Sequence, residues 1–302
     1  MKIVIVGGGT GSFNILTGLK EYPIELTSII SMMDNGGSSG ILRDEFGILP
    51  PGDVRRALVA LSDSKVMRDL FSYRFSKGEG LNGHSFGNLF LTVLNEVMGS
   101  DSLAIEEAGK ILNIKGKVLP VTADNCHLCA KLKNGKVING EEKIGDEKVS
   151  EVFLSSKAKL YEKCFKEITT ADLIVLGPGD FYTSIIPNLL VNGFNDAVKE
   201  SNAKTVFVCN IMTKGETKGF TAKDFVIELE KYLNKKVDFV LMNDSVPKEN
   251  IVKKYKKEGS IFVKPDYSGI KTNLLRESDF ARHDSKKLSK AILAILLGIV
   301  TK

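Results

Sequence analysis

The residues best suited to chemistry begin with a glycine-rich stretch, GGGTG at positions 7–11, directly after the apolar run IVIV at positions 3–6. Such runs are typical of buried strands, and the residues that follow have the spacing of a helix. A glycine loop between a strand and a helix exposes backbone N–H groups that bind anions such as phosphate. A tight turn without a ligand is the alternative, because Ser12 stands where the pattern GxGxxG has its third glycine. The predicted ligand contacts are Gly8, Gly9, Thr10 and Gly11.

A second stretch of this kind, DNGGSSG at positions 34–40, follows the second apolar run. Its N–H groups and serine hydroxyls can donate hydrogen bonds to phosphate oxygens, so two such loops side by side fit two linked phosphates. Asp34 is a candidate ligand for Mg²⁺, which prefers carboxylate oxygens, although the same carboxylate suits a ribose hydroxyl in a dehydrogenase. The other predicted contacts of this loop are Asn35, Gly36, Gly37, Ser38 and Ser39.

Two further clusters carry groups that bind anions or transfer protons. In GDVRRAL, Arg55 and Arg56 point about 100° apart on the predicted helix, so at most one is expected to face a ligand, and we assign Arg55. In GHSFGNL, His84 and Asn88 lie at a predicted helix start. His84 is the candidate catalytic acid–base group, and a structural role for it is equally open.

Polar residues also follow the later apolar runs. The turn in LGPGDFYTS either binds an anion or caps a helix, and the later strand ends offer donors and acceptors for a base and for sugar hydroxyls. The predicted contacts are Gly177, Gly179, Thr183, Asn210, Thr213 and Asn243. No closely spaced pair of base and nucleophile is evident in the sequence, which favours binding over turnover.

The elements that must position these residues alternate along the chain. Apolar strands that end in small or polar residues recur at LTSIISMMD, ADLIVLG, TVFVC, VDFVLM and IFVKP, with helical patterns between them. This alternation predicts an α/β, Rossmann-like fold with a mostly parallel sheet and helices on both faces. The strand ends would then converge on one cleft. We expect a single nucleotide-binding domain over residues 1–302.

One region, at about residues 117–154, interrupts the alternation. Its pattern predicts an antiparallel β insertion, with Asn134 and Gly135 as a hairpin turn. Cys126 and Cys129 within it form a CxxC pair. Residues three apart on a strand point to opposite faces, and no second pair completes a tetrahedral site, so we interpret both cysteines as structural.

Composition narrows the class of protein. The 302 residues are 43% hydrophobic and 26% charged, with a net charge of +5, as in ordinary soluble globular proteins. The four cysteines are too few and too scattered for a disulfide framework, and no leader precedes the first strand, which predicts a cytoplasmic protein. The run AILAILLGIV is too short for a membrane span, and no aromatic-basic pattern predicts nucleic-acid binding.

Six stretches together resemble, in order and over nearly the whole chain, the motifs of the CofD/YvcK family. They are GGGTG at 7–11, DNGGSSG at 34–40, ILPPGDVRRALVALS at 48–62, GHSFGNL at 83–89, LGPGDFYTSIIPNLLV at 176–191 and NIMTKGETKGFTAKD at 210–224. The narrower resemblance is to the YvcK branch, the gluconeogenesis factors. It implies a Rossmann-like core, a nucleotide-diphosphate cleft that binds UDP-sugars, and a part in carbon metabolism and cell morphogenesis.

The resemblance leaves two function classes open. The first is a regulatory protein that binds UDP-glucose or UDP-N-acetylglucosamine without turnover, with a homodimer as one compatible assembly. The second follows the CofD branch, a Mg²⁺-dependent transferase that moves a phospholactyl group from a guanosine diphosphate donor to a deazaflavin. We favour the first, and a nicotinamide-dependent oxidoreductase is a distant third. The chain departs from the usual family pattern at Asn35, where a second aspartate is common, and at Asp180, where serine is usual.

Overall fold

Strands and helices alternate through residues 1–144 and 147–300, which the computed structural model describes. The strands are β1 (Lys2–Gly7), β2 (Glu25–Ile30), β3 (Lys117–Pro120), β4 (Leu128–Leu132), β5 (Val137–Asn139), β6 (Val149–Leu154), β7 (Leu173–Leu176), β8 (Lys204–Val208), β9 (Phe239–Asn243) and β10 (Ile270–Thr272). The α-helices are α1 (Gly9–Leu19), α2 (Gly37–Phe46), α3 (Gly52–Leu61), α4 (Lys65–Ser72), α5 (Phe86–Met98), α6 (Asp101–Ile111), α7 (Glu162–Thr169), α8 (Ile186–Leu189), α9 (Phe194–Glu200), α10 (Ala222–Leu233), α11 (Glu249–Lys257) and α12 (Ser285–Leu296).

The central sheet has seven parallel strands in the order β10-β9-β8-β7-β1-β2-β3. The chain moves outward from β1 to β2 and β3, and then returns to β7 on the other side of β1 and moves outward again to β10. The direction of winding therefore changes between β1 and β7. In open α/β sheets, ligands bind beyond the carboxyl ends of the strands at such a point.

The sheet is buried because its central strands are almost entirely apolar. Ile3, Val4, Ile5 and Val6 of β1 are fully buried, as expected for a parallel strand covered on both faces. One group of helices, α1, α3 and α12, packs together, and a second group comprises α7, α8, α9 and α10. These two groups cover the two faces, which confirms the α/β fold class predicted from the sequence.

The antiparallel region begins later than predicted. Residues 117–120 form β3, which pairs in parallel with β2 at the edge of the central sheet. The antiparallel sheet has the order β5-β4-β6, and a loop containing Asn134 and Gly135 joins β4 to β5. Gly135 has a φ of +86°, which explains the glycine at this turn. Cys126 and Cys129 are both buried and free.

One predicted strand is absent from the central sheet. The stretch IFVKP at positions 261–265 forms no strand, because its backbone pairs instead with the loop after β8: Thr213 N–H donates to Ile261 O at 2.8 Å, and Val263 N–H donates to Ile211 O at 2.9 Å. The final strand of the sheet is β10. Across the described residues, none of the helices combines the length and apolar character that a membrane span requires.

Candidate functional site

A cleft of about 620 Å³ lies at the carboxyl ends of the central strands. Residues 9–11, after β1, and residues 178–180, after β7, both line it, so the cleft includes the point where the direction of winding changes. The two loops are in close contact, because a Cβ atom added at Gly11 would lie 2.0 Å from the carbonyl oxygen of Pro178. Glycine at position 11 is what permits this approach.

The first glycine loop leads straight into α1, whose helical turns start at Gly9. The backbone N–H of Gly9 donates to the carboxylate of Asp53, and a Cβ added at Gly8 would lie 2.2 Å from Asp53 Oδ2. Asp53 therefore occupies part of the positive end of this helix. Burial raises the pKa of Asp53 to about 6, and the nearby carboxylate of Asp34 adds to the increase.

The second glycine stretch is a helix N-terminus rather than an open loop. The helix α2 begins at Gly37, and the carboxylate of Asp34 accepts a hydrogen bond from Gly36 N–H at 3.0 Å. Ser38 and Ser39 lie in the first turn of α2 and line the cleft. The cleft thus receives the N-termini of both α1 and α2, and each carries partial positive charge.

The structure reveals a serine–histidine pair that the sequence did not indicate. Ser38 Oγ lies 3.0 Å from His84 Nδ1, and the side-chain amide of Asn88 donates to Ser38 Oγ at 3.3 Å. The serine hydroxyl can donate to His84 Nδ1 or accept from it, depending on the tautomer of the imidazole. With Nδ1 unprotonated, this is the arrangement of a hydroxyl next to a base, a pair that was not visible in the sequence. The residues were hidden because they are 46 positions apart.

Three arginines make one part of the cleft strongly basic. Arg55 is 9% exposed; its Nε donates to Asn88 Oδ1 at 2.9 Å and its Nη1 donates to Phe71 O at 3.3 Å. Burial lowers the pKa of Arg55 to about 10, and repulsion by Arg56 and Arg74 adds to the decrease. An anion bound here would relieve that repulsion.

Arg56 also lines the cleft, contrary to the prediction that at most one of the adjacent arginines would face a ligand. Its Nη1 donates to Asp53 Oδ1 at 3.0 Å, and its side chain is about half exposed. The first turns of α3 lie beneath the cleft, so side chains about 100° apart both reach it.

A carboxylate from the antiparallel region is the main acidic residue that the sequence did not reveal. Glu141 follows β5 in a three-residue 3₁₀ turn, lines the cleft, and accepts a hydrogen bond from the side chain of Thr183. Burial raises the pKa of Glu141 to about 7, with contributions from Asp34, Asp180 and Asp53 in that order. No motif marks Glu141 in the sequence, because only the tertiary fold brings the turn to the cleft.

Residues after β8, β9 and β10 line the rest of the cleft. Asn210 and Thr213 line the cleft, as predicted. Thr213 Oγ1 accepts a hydrogen bond from Ile261 N–H at 2.9 Å. Seven lining residues of these segments were not predicted: Ile211, Met212, Lys214, Tyr255, Ala281, Arg282 and His283. Tyr255 belongs to the lysine-rich helix α11.

The structure brings most of the predicted contacts together. Those that line the cleft are Gly9, Thr10, Gly11, Asp34, Gly36, Gly37, Ser38, Ser39, Arg55, Asn88, Gly179, Thr183, Asn210 and Thr213. Five others lie behind its walls: Gly8, Asn35, His84, Gly177 and Asn243. Asn243 is 4% exposed and is bonded within the scaffold, since its Nδ2 donates to Ser245 O and its Oδ1 accepts from Leu274 N–H.

The donor chemistry of the cleft suits a divalent cation shared with a ligand. Within the described part of the chain, no three His, Cys, Asp or Glu residues are grouped so as to hold a metal ion by themselves. Mg²⁺ is usually held by one or two carboxylates together with substrate phosphates. Asp34 and Asp53, whose charges interact, are the carboxylates that fit this arrangement.

Comparison with known proteins identifies relatives over almost the full length of the chain. The family model described as 2-phospho-L-lactate transferase CofD matches residues 3–279. A protein from Thermotoga maritima is 45% identical over 97% of this chain and 98% of its own length. The Bacillus subtilis protein named Gluconeogenesis factor is 39% identical over 98% of both chains. A crystal structure of a Bacillus halodurans protein has 39% identity and a TM-score of 0.94, and covers 97% of this chain and 99% of that one.

Proposed function

Because this chain belongs to the CofD family, we propose that its cleft binds a nucleoside diphosphate sugar of the UDP-glucose or UDP-N-acetylglucosamine type. In this proposal the protein is a gluconeogenesis factor, as the Bacillus subtilis relative is named, and it senses the nucleotide sugar and regulates carbon metabolism. The family resemblance extends the proposed role to the control of cell shape, in the cytoplasm.

The convergence of Arg55, Arg56 and Arg74 on one cleft is the observation that carries this proposal. Three guanidinium groups converge on a cleft that also receives the N-termini of α1 and α2. Arginine forks and helix N-termini are the groups that bind phosphate oxygens, and two adjacent helix ends fit a diphosphate better than a single phosphate. The buried position of Arg55 strengthens its interaction with an anion, because the local dielectric is low.

The order of the strands supports a direction for the bound ligand. The two helix N-termini follow β1 and β2, whereas Tyr255 follows β9 and Arg282 follows β10. An aromatic ring and a guanidinium plane can both stack on a nucleobase. We therefore orient the base toward β9 and β10 and the diphosphate toward β1 and β2. A Mg²⁺ ion held by Asp34 and Asp53 would neutralise phosphate charge in this position.

Titration calorimetry with UDP-N-acetylglucosamine, UDP and UMP tests the proposal. We expect UDP-N-acetylglucosamine and UDP to bind much more tightly than UMP, because only they carry two phosphates. Binding in Mg²⁺ should exceed binding in EDTA for the parent protein, and Asp34→Ala should remove that difference. Equal affinities for UMP and UDP would contradict the diphosphate site.

A CofD-like transfer reaction is the second candidate function, and the contact between Ser38 and His84 favours it. In the tautomer whose Nδ1 is unprotonated, His84 accepts from Ser38 across this 3.0 Å contact, and the hydroxyl can then act as a nucleophile or as a proton relay to a second substrate. Incubation of the purified protein with UDP-N-acetylglucosamine and Mg²⁺, followed by product analysis, separates the two functions. A regulatory protein leaves the nucleotide sugar intact. Release of UDP that is lost in His84→Ala would establish turnover.

A further inference from the structure

Among the residues that the structure describes, Glu141 is the one that the antiparallel region supplies to the cleft, from the turn after β5. Two contacts hold its turn against the central domain: Asn35 Oδ1 accepts from Glu142 N–H at 3.0 Å, and the side chain of Thr183 donates to the Glu141 carboxylate. Gly140 permits the first contact, because a Cβ added there would lie 2.5 Å from Asn35 Nδ2. Asn35 therefore acts as a clamp for the turn and lies outside the phosphate site.

The surroundings of Glu141 are acidic on the side of the cleft where it lies. The charges of Asp34, Asp53 and Asp180 all act on it. Asp180 has a partner, since Lys214 Nζ lies 2.9 Å from its Oδ2. The hydrogen bond from Thr183 leaves at least one oxygen of Glu141 free to accept from a ligand. Groups that donate hydrogen bonds without negative charge match this environment.

The orientation of the ligand places its sugar next to Glu141. With the base toward β9 and β10 and the diphosphate at the ends of β1 and β2, the remaining part of the ligand points toward the segment after β2. Asn35, in that segment, is the residue that clamps the turn of Glu141. Sugar hydroxyls donate well to carboxylates, whereas a carboxylate on the sugar would be repelled by the charge of Glu141.

We propose that Glu141 determines specificity by accepting hydrogen bonds from an uncharged, hydroxyl-rich sugar and by repelling nucleotide sugars whose sugar carries a carboxylate. The inference rests on the proposed function, because it assumes a nucleotide sugar in this cleft. It also assigns the antiparallel sheet a part in recognition.

The test compares UDP-glucose with UDP-glucuronate, which differ only at C6 of the sugar. Calorimetry at pH 8, where Glu141 is charged, should give an affinity at least tenfold higher for UDP-glucose in the parent protein, because repulsion between the two carboxylates opposes the binding of UDP-glucuronate. Glu141→Gln should reduce this ratio to about threefold or less. Glu142→Gln removes the same charge one position away, on an exposed side chain, and should leave the ratio unchanged.

Each other outcome overturns the inference in a recognisable way. Equal affinities for the two sugars in the parent protein would refute it while leaving the proposed function intact, provided that UDP itself binds. If Glu141→Gln weakens the binding of both sugars alike in Mg²⁺ but not in EDTA, Glu141 is a cation ligand and the inference is wrong. If neither the sugars nor UDP bind, the proposed function fails and the inference fails with it.

Discussion

The basic and acidic parts of the cleft are built in different ways. Arg55 is buried in the central domain, where Asn88 of α5 and Phe71 of α4 accept its hydrogen bonds. Glu141 comes from a peripheral sheet, on a turn held by Thr183 and by the contact between Asn35 and Glu142. The basic group is integrated into the scaffold, whereas the acidic group is added to it.

This difference has opposite consequences for stability and for binding. The guanidinium of Arg55 donates to scaffold acceptors, so we expect its removal to weaken both the fold and the proposed phosphate site. The carboxylate of Glu141 is buried and lies among like charges, so we expect its removal to stabilise the protein without ligand. This expectation agrees with a role for Glu141 in binding a ligand.

The largest effect is expected where the loop after β1 meets the loop after β7. Gly11→Val places side-chain atoms against the backbone of Pro178, where even a Cβ would lie 2.0 Å from an oxygen. We expect a loss of about 3 kcal/mol in the free energy of unfolding and no detectable nucleotide binding. Gly9→Ala is the control: its nearest neighbour is Ser184 Oγ at 4.0 Å, so only the φ of +64° opposes it, at about 1 kcal/mol. Urea unfolding of both variants measures the contrast, and equal losses would contradict the close approach.

The second largest effect is expected on ligand affinity when Arg55, the buried arginine of the cleft, is replaced. Arg55→Met should weaken UDP-N-acetylglucosamine binding about 100-fold, because a buried charge-assisted contact to phosphate contributes roughly 1.5–3 kcal/mol. Arg68→Met is the matched control, since Arg68 is outside the cleft and donates to Ser62 O. Calorimetry of both variants decides the point. A loss of similar size in the control would show that only net charge matters.

The smallest expected effect is a gain in stability when the charge of Glu141 is removed, and this gain depends on pH. The pKa of Glu141 is raised to about 7 in the folded protein, from an ordinary value of 4.5, so the folded state binds more protons between these values and stability falls as pH rises. Glu141→Gln should be no more stable than the parent at pH 4 and about 2 kcal/mol more stable at pH 8. Thermal unfolding without ligand measures both. Glu142→Gln should show no such difference, and the same behaviour in both variants would contradict the assignment.

Local patterns made the fold and the basic part of the cleft predictable. The glycine stretches mark strand-to-helix turns, and in a parallel sheet such turns lie together at one edge, so Gly9, Gly11, Ser38 and Thr183 reach one cleft as expected. Arg55 was found because arginine near a helix start is a strong phosphate signal. Each of these inferences uses residues that are neighbours in the chain or on adjacent strands.

The other features of the cleft could not be predicted, because they depend on contacts that no local sequence pattern encodes. Glu141 reaches the cleft only because a separate sheet packs against the segment after β2, and Ser38 meets His84 through the packing of α2 on α5. Asn243 shows the limit of the strand-end rule, since its side chain bonds to Ser245 after β9 and to Leu274 after β10 rather than facing the cleft. Position at a strand end gives the place of a residue but not the direction of its side chain.

The central claim, that the cleft binds a UDP-sugar, is tested most directly by thermal unfolding of the parent protein with equal concentrations of UDP-N-acetylglucosamine, UDP-glucose and NAD. A ligand that binds only the native state stabilises it by roughly 2.7 kcal/mol at 100 times its Kd. The account predicts a clear increase in Tm with at least one UDP-sugar and a smaller increase with NAD. An increase with NAD that equals or exceeds both UDP-sugars would contradict it.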